Sequence, residues 1–153
     1  MRKFFRIAGA VSFVLVLAAA AVFGYAAYRG RGLDASSKAY VEENVPVIIS
    51  NWSKDELLKR ASPELLKALD ETPERGDRIF RLFSTLGAMR SFGGVKGEAT
   101  MLYTPQQGEV ITAYYVADAK FEHGDAHLAV RLIRRSEQWR FMLFNVNSPQ
   151  FLR

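Results

Sequence analysis

The sequence predicts an α+β fold behind an N-terminal transmembrane helix. Three observations carry this. The run from Ile7 to Tyr28 holds no charged residue. Between Ser36 and Met89, apolar residues recur at helical spacing and several helix starts are marked by Ser or Thr caps. From Val95 onward the period changes to alternation, the period of a strand. The expected architecture is about three to four helices packed on a curved antiparallel sheet of about four strands. An anchor over 1–32 precedes one domain over 33–153.

The N-terminal run is read first. Met1-Arg2-Lys3-Phe4-Phe5-Arg6 precedes it, and Arg29, Gly30, Arg31 and Gly32 follow. About 20 apolar residues at ~1.5 Å rise match a hydrocarbon core ~30 Å thick. A cleaved signal peptide has a shorter apolar stretch and a small-residue cleavage site. Val11 to Val22 would serve as that stretch, with Ala18 to Ala21 as the small residues. The run continues through Phe23, Tyr25 and Tyr28, and tyrosines suit the membrane interface. An anchor is therefore expected, with a secreted protein as the alternative if the run is cleaved. The absence of cysteine excludes a lipid-modified N-terminus. Arg2, Lys3 and Arg6 outnumber Arg29 and Arg31. The positive-inside rule then puts the N-terminus in the cytoplasm of a bacterium and the domain on the periplasmic or extracellular side of the inner membrane.

Composition constrains the remainder. The chain that follows the anchor suffices for one core without staples. Without cysteine, no disulfide can form in an oxidising compartment. Formal net charge is +5, and Arg2, Lys3 and Arg6 supply three of those charges. The rest of the chain lacks the clustered Lys and Arg of a nucleic-acid footprint, so no nucleic acid is expected as a partner. Gly30 to Ser37 reads as a linker.

The helical half follows. Ser36 or Ser37 can cap a first helix running to about Trp52. Val41, Val45, Ile48, Ile49 and Trp52 form one apolar stripe on it, and Pro46 should kink it. Ser53-Lys54-Asp55-Glu56 has the spacing of a capping box, opening a short helix with Leu57 and Leu58. Ser62-Pro63 and Thr72-Pro73 each place a cap residue before a proline at the first helical position. The last helix carries Ile79, Phe80, Phe83, Leu86 and Met89, and ends before Phe92-Gly93-Gly94.

The strand half is a meander. Over Val110 to Glu122, Ile111, Ala113, Tyr115, Ala117, Ala119 and Phe121 share one face. His123-Gly124 is the expected turn. Asp125 to Arg135 returns with Ala126, Leu128, Val130 and Leu132 on the same face. Ser136-Glu137 turns into Gln138 to Asn147, where Trp139, Phe141 and Leu143 alternate. The expected register pairs Phe121 with Ala126, Ala119 with Leu128, Ala117 with Val130 and Tyr115 with Leu132. On the other side it pairs Leu132 with Phe141 and Val130 with Leu143.

Two segments carry a family resemblance: Leu82-Phe83-Ser84-Thr85-Leu86-Gly87 before the crossover, and Gln138-Trp139-Arg140-Phe141-Met142-Leu143-Phe144-Asn145-Val146 as a late tryptophan strand. In this order of elements, Ala35 to Pro149 resembles the nuclear-transport-factor-2-like (cystatin-like) α+β cone superfamily. The resemblance implies a pocket between helices and sheet. Its members include isomerases and dehydratases as well as non-enzymatic binding and scaffold proteins, so fold alone does not choose among them. The layout of short N-terminus, one span and one such domain is also similar to inner-membrane components of type IV secretion machines.

Chemical motifs are few. There is no Gly-x-Ser-x-Gly, no phosphate-cradling glycine loop and no His-Glu-x-x-His. His123-Gly124-Asp125-Ala126-His127 is the one ligand-like cluster, and the turn rotates His123 out of line. No metal and no cofactor are expected. In the expected register Tyr103, Tyr115, Asn145 and Asn147 face the cone pocket, with Ala117 leaving it open. Asp118 and His127 fall on the opposite face, so no acid or base points inward and no catalytic residue is assigned. That opposite face is expected to carry Tyr114, Val116, Arg131, Ile133, Arg140, Met142 and Phe144, residue types enriched at interfaces. A partner protein or a second copy of the chain is expected to cover it, the alternatives being the C-terminal tail over 148–153 or another part of the chain. The first functional expectation is a non-enzymatic, membrane-anchored binding or assembly subunit acting through this face. The alternatives are a small-molecule binder using the pocket, or an isomerase- or dehydratase-like enzyme.

Overall fold

The structure, a computed structural model, describes residues 2–153, with side chains from residue 14 onward. It divides into two compact units, one ending at Leu33 and the other spanning Asp34–Arg153. Helix α1 (Arg2–Ile49) runs without a break through Gly30–Ser37, the segment expected as a linker. The reason lies in the serines. Ser37 does not cap: its hydroxyl lies 3.2 Å from the Asp34 carbonyl one turn back and 2.8 Å from the Tyr115 hydroxyl. Among the described residues no helix is long and apolar enough to cross a membrane. Of the expected span, the side chains over 7–13 lie outside the described residues. Val14 to Leu17, Val22, Phe23, Tyr25 and Tyr28 are all exposed.

Three short helices follow. In α2 (Lys54–Arg60) the Ser53 hydroxyl accepts the Glu56 N–H at 3.3 Å, as its capping box requires. In α3 (Pro63–Glu71) the Ser62 hydroxyl accepts the Leu65 N–H at 3.3 Å. In α4 (Pro73–Ser84) the expected side-chain cap is missing. Thr72 instead offers its carbonyl to the N–H groups of Arg75 and Gly76, at 3.0 and 3.3 Å. The helix also stops at Ser84 rather than running to Met89. The Glu122 N–H binds the Ala88 carbonyl and the His123 N–H binds the Leu86 carbonyl, both at 3.0 Å. The hairpin turn thereby takes two carbonyls that a longer helix would have used.

Four strands form one antiparallel sheet in sequence order: β1 (Met89–Thr104), β2 (Gly108–Phe121), β3 (Gly124–Arg135) and β4 (Gln138–Asn147). The turn between β2 and β3 is Glu122-His123, one residue earlier than expected. The register shifts with it: Phe121 pairs with Gly124, Ala119 with Ala126, Ala117 with Leu128 and Tyr115 with Val130. A two-residue slip preserves the faces, so the buried set is the expected one. Two glycines in β1 answer specific constraints. Gly94, at φ +64°, sits in a bulge opposite Asp118. Gly97 lies so close to β2 that a Cβ there would stand 2.8 Å from the Tyr115 ring.

The β3–β4 pair holds the main departure from expectation. Leu132 pairs with Phe141 as expected, but Arg131 pairs with Leu143, leaving Met142 as the extra residue of a bulge. Beyond a bulge, alternation inverts. Phe144 and Val146 therefore join the inner face, where Phe144 meets Phe141 edge-on at 5.9 Å. Leu143, Asn145 and Asn147 turn outward and are exposed.

The core lies between the helices and the inner sheet face. Val41, Val45, Ile48 and Ile49 of α1 are fully buried, the stripe read from the sequence. Ala113, Ala117 and Ala119 leave the depth a helix needs against a sheet. At one end Trp52 stacks on Phe121 at 4.9 Å and meets Phe83 at 5.4 Å. The C-terminal turn (Pro149–Leu152) joins this cluster, with Phe151 5.8 Å from Phe83. The buried Ser148 hydroxyl donates to the Asp125 carbonyl at 2.7 Å. The tail thus seals the helical side of the sheet through Phe151.

Candidate functional site

The outer sheet face is built row by row from the ladder. Thr112 pairs with Ile133, which pairs with Arg140. The next row is Glu98, Tyr114, Arg131 and Leu143. The one after it is Lys96, Val116, Ala129 and Asn145. A strand face turned to solvent is usually polar. Here Tyr114, Val116 and Leu143 are 44%, 42% and 44% exposed in adjacent rows. The Arg131 guanidinium sits 5.8 Å above the Tyr114 ring, within cation–π range. At the margin the His127 ring binds Asp118 at 2.6 Å, with both side chains in solvent.

Of the residues expected on this face, Tyr114, Val116, Arg131, Ile133 and Arg140 share it. Ile133 is buried, and Arg140 is tied down: it donates to the Lys59 carbonyl at 2.7 Å and to Gln138 at 3.3 Å. Met142 is the half-buried bulge residue. Phe144 belongs to the inner face. Leu143 and Asn145 take the outward places instead. The unbroken apolar run Phe141-Met142-Leu143-Phe144 was the available signal, because alternation is lost where a bulge changes its phase.

The residues expected to line a cone pocket do not converge. Tyr103 is 76% exposed near the tip of β1. Asn145 is on the outer face opposite Ala129, and Asn147 lies opposite His127. Tyr115 and Ala117 do face inward and are buried. The Tyr115 hydroxyl is already engaged, donating to the Asp34 carbonyl at 3.0 Å with Ser37 at 2.8 Å. Burial pushes its phenol above the ordinary value, while the Ser37 bond acts in the opposite sense. Asp34 also accepts the Ala99 N–H through its carboxylate at 2.7 Å.

A groove of about 530 Å³ opens beside β4, lined among others by Tyr40, Asn44, Arg60, Trp139 and Arg140. Its cations are largely satisfied within the chain. Arg60 donates to Asn44 at 2.7 Å and to Glu56 at 2.6 Å. Tyr40 packs its ring 5.4 Å from Phe141. Its phenol is raised by burial, against the lowering influence of Arg140 and Arg60. Among the described residues no three His, Asp or Glu side chains come together in a way that could hold a metal ion.

No family model matches the chain, and no curated protein or solved structure shows significant similarity to it.

Proposed function

We propose that the chain is a non-enzymatic, membrane-anchored assembly subunit of a bacterial inner membrane. Its domain lies on the periplasmic or extracellular side and binds a partner protein, or a second copy, through the outer sheet face. The observation that carries this reading is the adjacent exposure of Tyr114, Val116 and Leu143 beside Arg131. Large apolar side chains gathered on one patch gain from contact at roughly 25 cal/mol per Å² covered. The tail, an alternative cover, packs instead against Phe83 on the helical side.

The anchor belongs to the same proposal. The apolar run over 7–28 is long enough in sequence for a bilayer core. From residue 14 its large apolar side chains stand exposed, unlike a soluble helix that hides an apolar stripe. The resemblance to the nuclear-transport-factor-2-like superfamily is also part of it, supported by helices followed by a four-stranded meander. A small molecule held near Tyr115 has less support, since that hydroxyl is engaged by Ser37 and Asp34.

The test is gentle extraction of the full-length chain from native membranes, with co-purifying proteins quantified by mass spectrometry. Arg131→Glu and Leu143→Asp are each expected to remove a stoichiometric partner, or self-association, while circular dichroism stays that of the parent. Unchanged assembly in both variants would refute the surface.

A further inference from the structure

The groove beside β4 joins an open strand edge to a fixed positive charge. The edge follows from the ladder. Ser136 and Glu137 form a two-residue turn, at φ +49° and +62°, closed by the pair Arg135 and Gln138. The residues that close such a turn exchange ladder bonds, so Arg134 and Trp139 form the next, non-hydrogen-bonded pair. The Trp139 backbone N–H and C=O therefore point away from β3, off the sheet edge. Phe141, two residues on, has the same orientation, and its carbonyl accepts the Ser62 N–H at 2.8 Å. There Ala61 bridges Phe141 in parallel and covers the edge. At Trp139 the groove lies where that cover would be.

Lys59, Arg60 and Arg140 line the same groove. One carboxylate, Glu56, serves both Lys59 and Arg60, at 2.7 and 2.6 Å. Arg140 donates only to neutral acceptors, the Lys59 carbonyl and the Gln138 side chain, and has no ion pair among the described residues. Those bonds hold its guanidinium in place without neutralising it, so an incoming carboxylate meets a preset donor. Tyr40 forms the opposite wall. Its carbonyl accepts from Asn44 at 2.9 Å, but its hydroxyl makes no hydrogen bond among the described residues. Burial raises its phenol, and both Arg140 and Arg60 lower it, as near neighbours of the hydroxyl would.

We propose that this groove binds an extended acidic peptide segment of a partner protein. One residue of the segment pairs its backbone with Trp139, as an added edge strand does. Side chains of an extended segment alternate. The residue opposite Trp139 turns toward Tyr40, on the side where the Trp139 ring meets α1 through Ser36, and the next residue offers its carboxylate to Arg140. Charge selects an acidic ligand, and the open backbone pair selects a peptide, because a free anion would leave Trp139 unused. The chain's own C-terminal turn is not the occupant. It packs on Phe83 and beside Gly124, at the far end of β3. Every groove residue lies in the unit Asp34–Arg153, so the site needs neither the anchor nor the outer sheet face.

The probe is a fluorescein-labelled oligoglutamate peptide, titrated with the full-length chain in detergent and read by fluorescence anisotropy. Saturable binding is expected. Arg140→Gln should weaken it about tenfold or more and Tyr40→Phe by roughly two- to tenfold, with circular dichroism unchanged in both. Arg140→Lys should retain most of it. Lys120→Gln, the same change of charge near the far end of β2, should leave it within about twofold. Methylating alternate backbone nitrogens of the peptide should also weaken it, since an edge strand needs those N–H groups. An oligoglutamate that binds no better than oligolysine overturns the proposal, as does equal loss in Arg140→Gln and Lys120→Gln. Full binding by the methylated peptide, or displacement by inorganic phosphate or free glutamate at the peptide's own concentration, overturns the peptide in favour of a small anion.

Discussion

Tyr115→Phe separates a structural hydroxyl from a ligand-binding one, and its cost can be worked from proton accounting. Three contacts join Tyr115, Ser37 and the Asp34 carbonyl, at 2.8, 3.0 and 3.2 Å. Two hydroxyls bring only two protons, so two hydrogen bonds form at once. When Tyr115 loses its hydroxyl, Ser37 still has the Asp34 carbonyl as acceptor. One bond is lost and no donor is orphaned, which costs about 1 kcal/mol. Ser37→Ala loses the other bond at the same order of cost, and the double variant should lose about 2 kcal/mol. For a domain of this size each step lowers the Tm by roughly 4 °C. The assay is urea unfolding of the full-length chain in detergent, followed by fluorescence of the buried Trp52 and Trp139. No loss in Tyr115→Phe would show that the hydroxyl contributes nothing to holding α1. A loss of about 3 kcal/mol or more would show that Ser37 is left without an acceptor. Either result refutes the accounting.

Two other perturbations follow from the fold. Phe144→Asp puts a charge on the inner face and should unfold the domain, costing about 3 kcal/mol or more, whereas Leu143→Asp should leave the melting temperature nearly unchanged. Equal effects on thermal melts would place the Met142 bulge elsewhere. Stability should also fall in acid. The Lys59 and Arg60 bonds hold the Glu56 carboxyl below its ordinary value, and Lys54 does the same for Asp77. Glu64 is lowered by its own backbone N–H, then by Ser62 and Arg135. Because the folded-state values lie below the unfolded ones, this stabilisation is complete above the unfolded carboxylate range near pH 4 and is lost as pH falls through the folded values. A melting temperature that stays level from pH 7 to pH 3 would contradict it.

The helical half was legible wherever a side chain announced a terminus. Ser53 and Ser62 cap as their spacing demands, because a hydroxyl three residues before a free N–H is a local interaction. Thr72 has the same spacing, but its backbone adopts φ −141°, ψ 68° and its hydroxyl makes no cap bond. The ends of α4 and the absence of a linker were set by distant partners: Ala88 and Leu86 meet the hairpin turn, and Ser37 meets Tyr115. Those contacts join residues far apart in the chain, beyond any window of local pattern. In the sheet, period-two alternation gave the buried set on β2 and β3 whatever the exact register. On β4 it failed at Met142, since Phe141-Met142-Leu143-Phe144 is apolar in either phase. That one bulge exchanged Phe144 for Leu143 on the candidate surface and turned Asn145 away from the core.

Asp34 hooks two neighbouring strands at once, its carboxylate on β1 through Ala99 and its carbonyl on β2 through Tyr115. For a domain held by the chain in front of Asp34, these bonds are the first to feel a pull. The load divides between two strands that are themselves laced together along β1, from Met89 to Thr104. Separating Asp34 from the sheet therefore means breaking contacts to partners 65 and 81 positions away in the chain, on both strands rather than on one.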